Sequence, residues 1–159
     1  MQEATELIDA LKQSNGKIVF AESCTGGMVA SELAQVPGVS DVFCGSAVTY
    51  REATKQSWLG VDGETMQALT AVSAPVAHQM AAGALSQTPE ATIAVSITGH
   101  LGPNAPEGFD GLVFIAVAKT VKGKTLVKVA HHQLTQTKRV QRQVEATQLV
   151  LTTAIDAIG

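Results

Sequence analysis

The chain has 159 residues, of which 45% are hydrophobic and 16% charged, and its formal net charge is −3. Such a chain is long enough to bury a proper core and too apolar to be disordered; its acidic balance, with no Lys/Arg block, argues against a duplex nucleic-acid binder. No apolar run approaches a membrane span and the opening Met1–Glu6 lacks the features of a signal peptide. Neither a membrane nor a nucleic-acid partner is therefore expected, and the expected compartment is the cytoplasm.

From Gln2 to about Gln13, Ala4, Leu7, Ile8 and Leu11 recur at helical spacing, and Ser14-Asn15-Gly16 ends that helix. Lys17–Ala21 is apolar on both faces, Ile18 and Phe20 on one and Val19 and Ala21 on the other, which suits a strand in the middle of a covered sheet. The turn Ser23-Cys24-Thr25-Gly26-Gly27 opens into a helix running to about Gln35, which Val36-Pro37-Gly38 breaks. Val42–Thr49 is a second strand, with Gly45-Ser46 a place for a bulge. Short helices follow at Arg51–Leu59, anchored in the core by Trp58 and Leu59, and from Asp62-Gly63. Ser73 and Pro75 then open a longer helix whose Val76, Met80 and Leu85 are apolar anchors and whose Ala77, Ala81 and Ala84 permit close packing.

Thr92–Ile97 is a third strand apolar on both faces, ending at Thr98-Gly99. His100–Asp110 is the longest irregular stretch, at a strand end where ligands often bind. Gly111–Lys119 and Leu126–Leu134 are strands meeting at Lys122-Gly123-Lys124, and Gln136–Ile158 is a final helix with Val140, Val144, Leu151 and Ile158 on one stripe. This order predicts one domain, residues 1–159, of the α/β class: a three-layer α/β/α architecture with a mixed, mostly parallel central sheet. Its ligand is expected outside the carboxyl ends of the parallel strands, where Ser23, Tyr50 and Thr98 converge.

A strand, a hydroxyl- and glycine-rich turn and a helix place unpaired N–H groups where an anion can sit, although the same small residues also serve as plain caps. An activated serine needs a base. His78 lies among alanines on a helix, His131 and His132 point to opposite faces of a strand, and only His100 stands at a strand end. No Gly-x-Ser-x-Gly elbow is present. The remaining base is a lysine with a lowered pKa, for which Lys55 is the candidate, five residues after Tyr50; its alternative is a solvated helix lysine. Cys24 is either a reactive thiol or a buried filler, and Glu22 either orients the turn or pairs with a cation. No metal-ligand spacing, Walker motif or dinucleotide fingerprint occurs.

Several stretches occur in order over essentially the whole chain: Ala21–Gly27; Tyr50 with Lys55 and Leu59-Gly60-Val61; Ala71-Val72-Ser73 with Val76-Ala77 and Met80-Ala81; and Thr98-Gly99 with Gly102-Pro103. Together they resemble the CinA C-terminal domain family, which includes nicotinamide mononucleotide amidohydrolases. The resemblance implies hydrolysis of nicotinamide mononucleotide to nicotinic acid mononucleotide and ammonia, with Ser23 as nucleophile, Lys55 as base and Tyr50 assisting. It further implies substrate contacts at Thr25, Gly26, Gly27, Thr98 and Gly99, and at Arg142 for the phosphate. The implied partner is a small-molecule nucleotide, the family's habit is a homo-oligomer, and no metal or organic cofactor is implied. The chain departs from the family pattern at Arg51-Glu52-Ala53-Thr54, at His100-Leu101, over Asn104–Gly111 and at Lys138. Two other functions stay open beside the deamidase: a non-catalytic homologue binding a nucleotide or a partner protein, and an amidase for a different small amide.

Overall fold

The structure is a computed structural model that describes residues 2–159. Its centre is β1 (Ile18–Glu22), which lies between β2 (Phe43–Val48) and β3 (Ile93–Gly99), both parallel to it. Beyond β3, β4 (Leu112–Val121) runs antiparallel, and β5 (Lys124–Gln133) runs antiparallel to β4. Four of the five strands therefore point one way, and the sheet is mixed and mostly parallel, as the sequence pattern predicts. The last two strands join through Lys122 and Gly123, both at positive φ, which gives the hairpin a twist matching its strands. Cys44 is the extra residue of a bulge, because Ile18 pairs with Phe43 while Val19 pairs with Gly45.

Among the described residues there are six helices: α1 (Gln2–Gln13), α2 (Met28–Ala34), α3 (Glu52–Leu59), α4 (Gly63–Leu69), α5 (Ala74–Gln87) and α6 (Arg139–Ile158). None is long and apolar enough to cross a membrane. The alternation of side chains along each strand divides them into two layers. Ile18, Phe20, Ile93, Val95, Ile97, Val113 and Ile115 pack with α1, α2 and α6 on one face. Val19, Ala21, Ala94, Ala116 and Ala118 pack with α3, α4 and α5 on the other. The second face is lined mainly by alanine, so α5 lies close to the sheet, near enough for Ser96 Oγ to donate to the Ala77 carbonyl at 2.6 Å.

Four expectations are corrected. Trp58 is 55% exposed; only Leu59 anchors α3 in the core, one turn from Lys55 on its inward stripe. On α6, Val140 and Val144 are exposed, and the buried face turns instead through Ala146, Thr147, Val150, Leu151 and Ala154, where small residues let the helix approach its neighbours. That helix begins at Arg139 rather than Gln136, because the Glu145 carboxylate holds the backbone N–H groups of Thr135 and Gln136 in the preceding loop. The third strand runs two residues further than expected, since Thr98 and Gly99 still pair with Phe114 and Val113.

At Gly83, α5 lies against the backbone at the end of α3. A Cβ added there would lie 1.9 Å from the Leu59 carbonyl oxygen, a backbone atom with no freedom to swing aside. Gly83→Ala must therefore push α3 away, and is expected to cost about 2–3 kcal/mol. Thermal unfolding should register this as a melting temperature lower by about 5–10 °C, and an unchanged value would show that α3 can shift freely.

Candidate active site

The carboxyl end of β1 delivers Glu22 and Ser23 to the sheet edge. Glu22 is wholly buried, and its carboxylate accepts five hydrogen bonds: from Thr25 Oγ1 and Ser46 Oγ at 2.8 Å, and from the backbone N–H of Gly27 at 3.0 Å, Val29 at 3.1 Å and Ala30 at 3.0 Å. The start of α2 is an anion site, and the chain's own carboxylate fills it. The turn reaches this geometry because Gly26 and Gly27 take positive φ, at 62° and 98°. Ser23 is held independently, its N–H donating to the Ile97 carbonyl on β3 at 3.1 Å.

Lys55 comes from the second turn of α3, which begins where the Thr54 hydroxyl accepts the Arg51 N–H and donates to the Arg51 carbonyl. Its side chain is 1% exposed. Nζ donates to Ser23 Oγ at 2.8 Å and to the Thr49 carbonyl at 2.6 Å, so the amine is fixed between the nucleophile candidate and the end of β2. Burial lowers the Lys55 pKa to about 8, against smaller upward pulls from Cys24 and Glu52. Cys24, adjacent to Ser23, is the reverse case: burial pushes its thiol up to about 12, so it is a packed filler and no nucleophile near neutral pH.

Ser23 and Lys55 open onto a cavity of about 700 Å³, walled also by Tyr50, Val72, Thr98, His100, Arg139 and the 101–105 loop. Thr98 is buried, and its hydroxyl donates to the Ala71 carbonyl at 2.8 Å, tying β3 to the segment that leads into α5. His100 is half-buried against the Phe109 ring, and burial lowers its pKa. Tyr50 is 56% exposed at the rim, where its hydroxyl accepts from Arg139 Nη2 at 2.8 Å rather than bonding Ser23 or Lys55.

The structure thus brings Ser23, Lys55, Tyr50, Thr98 and Gly99 to one cavity. Thr25, Gly26, Gly27 and Arg142 stand outside its wall. Thr25 is wholly buried with its hydroxyl on Glu22, and the Gly27 N–H is taken by the same carboxylate. Arg142 is 6% exposed and donates to Asp110 Oδ1 and Oδ2 at 2.7 and 2.8 Å, with Nε on the Gln136 carbonyl at 2.7 Å. In return its hydrogen bonds, and to a lesser degree its charge, hold the Asp110 carboxyl below the usual carboxylate range.

A family model for the CinA C-terminal domain matches residues 1–157. The chain belongs to the CinA C-terminal domain family. A CinA-like protein of Myxococcus xanthus is 38% identical over 117 residues, which are 72% of this chain and 28% of that protein. A putative competence-damage inducible protein of Caldicellulosiruptor saccharolyticus is 44% identical over 114 residues, 70% of this chain and 28% of that protein. The match thus spans less than a third of the length of these relatives. Among solved structures, a CinA superfamily protein from Klebsiella pneumoniae superposes with a TM-score of 0.90 at 25% identity, covering 99% of this chain and 96% of that one. A competence/damage inducible protein from Agrobacterium tumefaciens superposes with a TM-score of 0.88 at 31% identity, covering 98% and 93%.

Within this CinA domain, two features of the site escape a reading of the sequence. Arg139 looks like an ordinary helix arginine, and only the folded position of the 102 loop brings it to the cavity. The Thr49 carbonyl is a backbone group with no residue-type signal. Of the two readings the sequence leaves open for Glu22, the structure shows the first: its hydrogen bonds orient the turn.

Two predictions follow the geometry of Glu22 and Lys55. In Glu22→Gln the new amide nitrogen faces N–H and O–H donors, and the protein should lose about 2–4 kcal/mol in denaturant unfolding; an unshifted midpoint would contradict the central place given to this carboxylate. For Lys55, a folded pKa below the ordinary 10.5 means that protonation costs stability in full below about pH 8, and that the cost fades as pH rises from 8 to 10.5. Lys55→Met should therefore melt higher relative to wild type at pH 7 than at pH 10.5, by up to about 3 kcal/mol in stability. A difference independent of pH would mean that burial does not perturb this amine.

Proposed function

We propose that this CinA domain is an amidohydrolase that cleaves the carboxamide of a nicotinamide nucleotide, releasing ammonia. The observation that carries the reading is the 2.8 Å contact between Ser23 Oγ and the buried Lys55 Nζ, an amine whose pKa is lowered to about 8. Such an amine has a substantial neutral fraction near neutral pH and can act as a general base. Neutral Lys55 takes the Ser23 hydroxyl proton as Oγ attacks the carboxamide carbon. The resulting ammonium returns that proton to the departing nitrogen, which leaves as ammonia. Water then attacks the Ser23 ester with Lys55 again as base, giving the carboxylate product and restoring the serine.

The oxyanion needs donors other than the N–H groups of Gly27, Val29 and Ala30, which serve Glu22. The backbone N–H of Cys24, which lines the cavity, has no acceptor on another described residue, and it is assigned this role. One such donor is worth about 2.7–4 kcal/mol in the transition state. The nucleotide as substrate is supported by the family membership and by a cavity of about 700 Å³, within the range that ligand pockets occupy. Thr98 and Gly99 contribute wall rather than chemistry, and Tyr50 holds Arg139.

The test is ammonia release from nicotinamide mononucleotide by the wild-type chain. Ser23→Ala and Lys55→Ala should each lower kcat by about 10³-fold or more, as loss of a nucleophile or its base does elsewhere. The acidic limb of the kcat/KM profile should rise toward pH 8, and Glu52→Gln should move that limb to lower pH, because Glu52 raises the Lys55 pKa. A wild-type protein that binds the nucleotide without releasing ammonia would replace this reading with that of a binding domain.

A further inference from the structure

Two arginines one helical turn apart on α6 have opposite surroundings. Arg142 is buried, and its guanidinium donates to both Asp110 oxygens and to the carbonyls of Gln136 and Leu101, so four of its N–H directions and its charge are already committed. Arg139 is exposed and has no carboxylate partner among the described residues. Its two contacts are with neutral oxygens: Nη1 on the Gly102 carbonyl at 2.5 Å and Nη2 on the Tyr50 hydroxyl at 2.8 Å. Those contacts aim the fork without neutralising it, and the remaining N–H groups are free to take an oxyanion.

Resting on the reading of Ser23 and Lys55 as a nucleotide amidase, we propose that Arg139, positioned by Tyr50 and Gly102, is the residue that binds the substrate's phosphate and selects phosphorylated substrates. The role that the family resemblance gives Arg142 passes to Arg139, and Arg142 instead holds the Asp110 loop. The other charged side chains on the cavity wall are Arg51, Glu52 and Lys55. Lys55 is buried at the nucleophile, and the Arg51 and Glu52 charges oppose one another on adjacent residues. Of the two exposed arginines on the wall, Arg139 is the one whose guanidinium is held in place by neutral oxygens for a ligand group lying away from Ser23. It also lines a neighbouring recess of about 390 Å³, bounded by the paired Asp110 and Arg142, Thr137 and the 102–105 loop. A phosphate monoester would end at Arg139, whereas the diphosphate of a dinucleotide would carry the chain on into that recess.

The test uses the full chain with Ser23→Ala, which binds without turnover, and calorimetric titration with nicotinamide mononucleotide, its dephosphorylated riboside and the corresponding dinucleotide. Adding Arg139→Met should weaken the mononucleotide about tenfold or more while changing the riboside less than about twofold, and Arg139→Lys should restore part of the loss. If the dinucleotide binds more tightly than the mononucleotide and loses as much with Arg139→Met, the phosphate contact is to a diphosphate. Equal losses for mononucleotide and riboside, no loss for either, or no binding of any phosphate-bearing ligand by the Ser23→Ala chain would overturn the assignment. Failure of the amidase reading shows separately, as absence of ammonia release by wild-type protein that still discriminates phosphate through Arg139.

Discussion

Five hydrogen bonds to one buried carboxylate organise the edge of this sheet. Glu22 ends β1, caps α2 through three backbone N–H groups, and reaches β2 through Ser46. A carboxylate withdrawn wholly from water is tolerated only when its lone pairs are met, and here the donors come from three different elements. Whatever fixes Glu22 also fixes the next residue, and that residue is Ser23. The nucleophile candidate therefore needs no side-chain partner to set its backbone: the carboxylate behind it and the Ile97 carbonyl beside it do so. Because Glu22 occupies the anion position of the helix start, the turn serves architecture first, and a ligand must find its charge partner elsewhere.

The second constraint is the burial of Lys55. Keeping an amine 1% exposed opposes its protonation, and the fold supplies only two neutral oxygens in exchange, Ser23 Oγ and the Thr49 carbonyl. That imbalance is what lowers its pKa to about 8. It persists because α3 is seated close: Leu59 is packed in the core, and its carbonyl rests against Gly83 on a helix that itself lies close to an alanine-lined sheet face. The small residues of α5 and the lowered pKa of Lys55 are thus two ends of one chain of contacts.

Much of this was legible in the sequence, and the reasons differ by element. Strands apolar on both faces placed β1 and β3 inside the sheet, and parallel order brought Ser23, Tyr50 and Thr98 to one edge. The pairing of Ser23 with Lys55 followed from eliminating histidines and from the family pattern. What stayed hidden depended on three-dimensional bookkeeping of donors and acceptors. The turn Ser23–Gly27 reads as an open anion site until Glu22, five to eight residues before its N–H donors along the chain, is seen to fill it. Trp58 and Val140 read as core residues because hydrophobicity alone does not say which side of a short helix has a layer above it. Arg142 reads as a ligand arginine until Asp110, thirty-two residues away, is found bidentate upon it.

The Asp110–Arg142 pair also links the loop to the site. A bidentate pair with a buried guanidinium is geometrically exacting, so Asp110 and the carbonyl of Leu101 lie at fixed positions relative to the first turns of α6. Gly102, next to Leu101, is then placed where its carbonyl receives Arg139. One arginine is spent fastening the loop so that the loop can orient the other. Asp110 lies in the 104–111 segment where the chain departs from the family pattern, so the residue that fastens this loop to α6 belongs to the loop's own altered stretch. Loss of Asp110 alone would leave the buried Arg142 guanidinium with the Gln136 and Leu101 carbonyls but no counter-charge, and the loop would lose its fastening to α6.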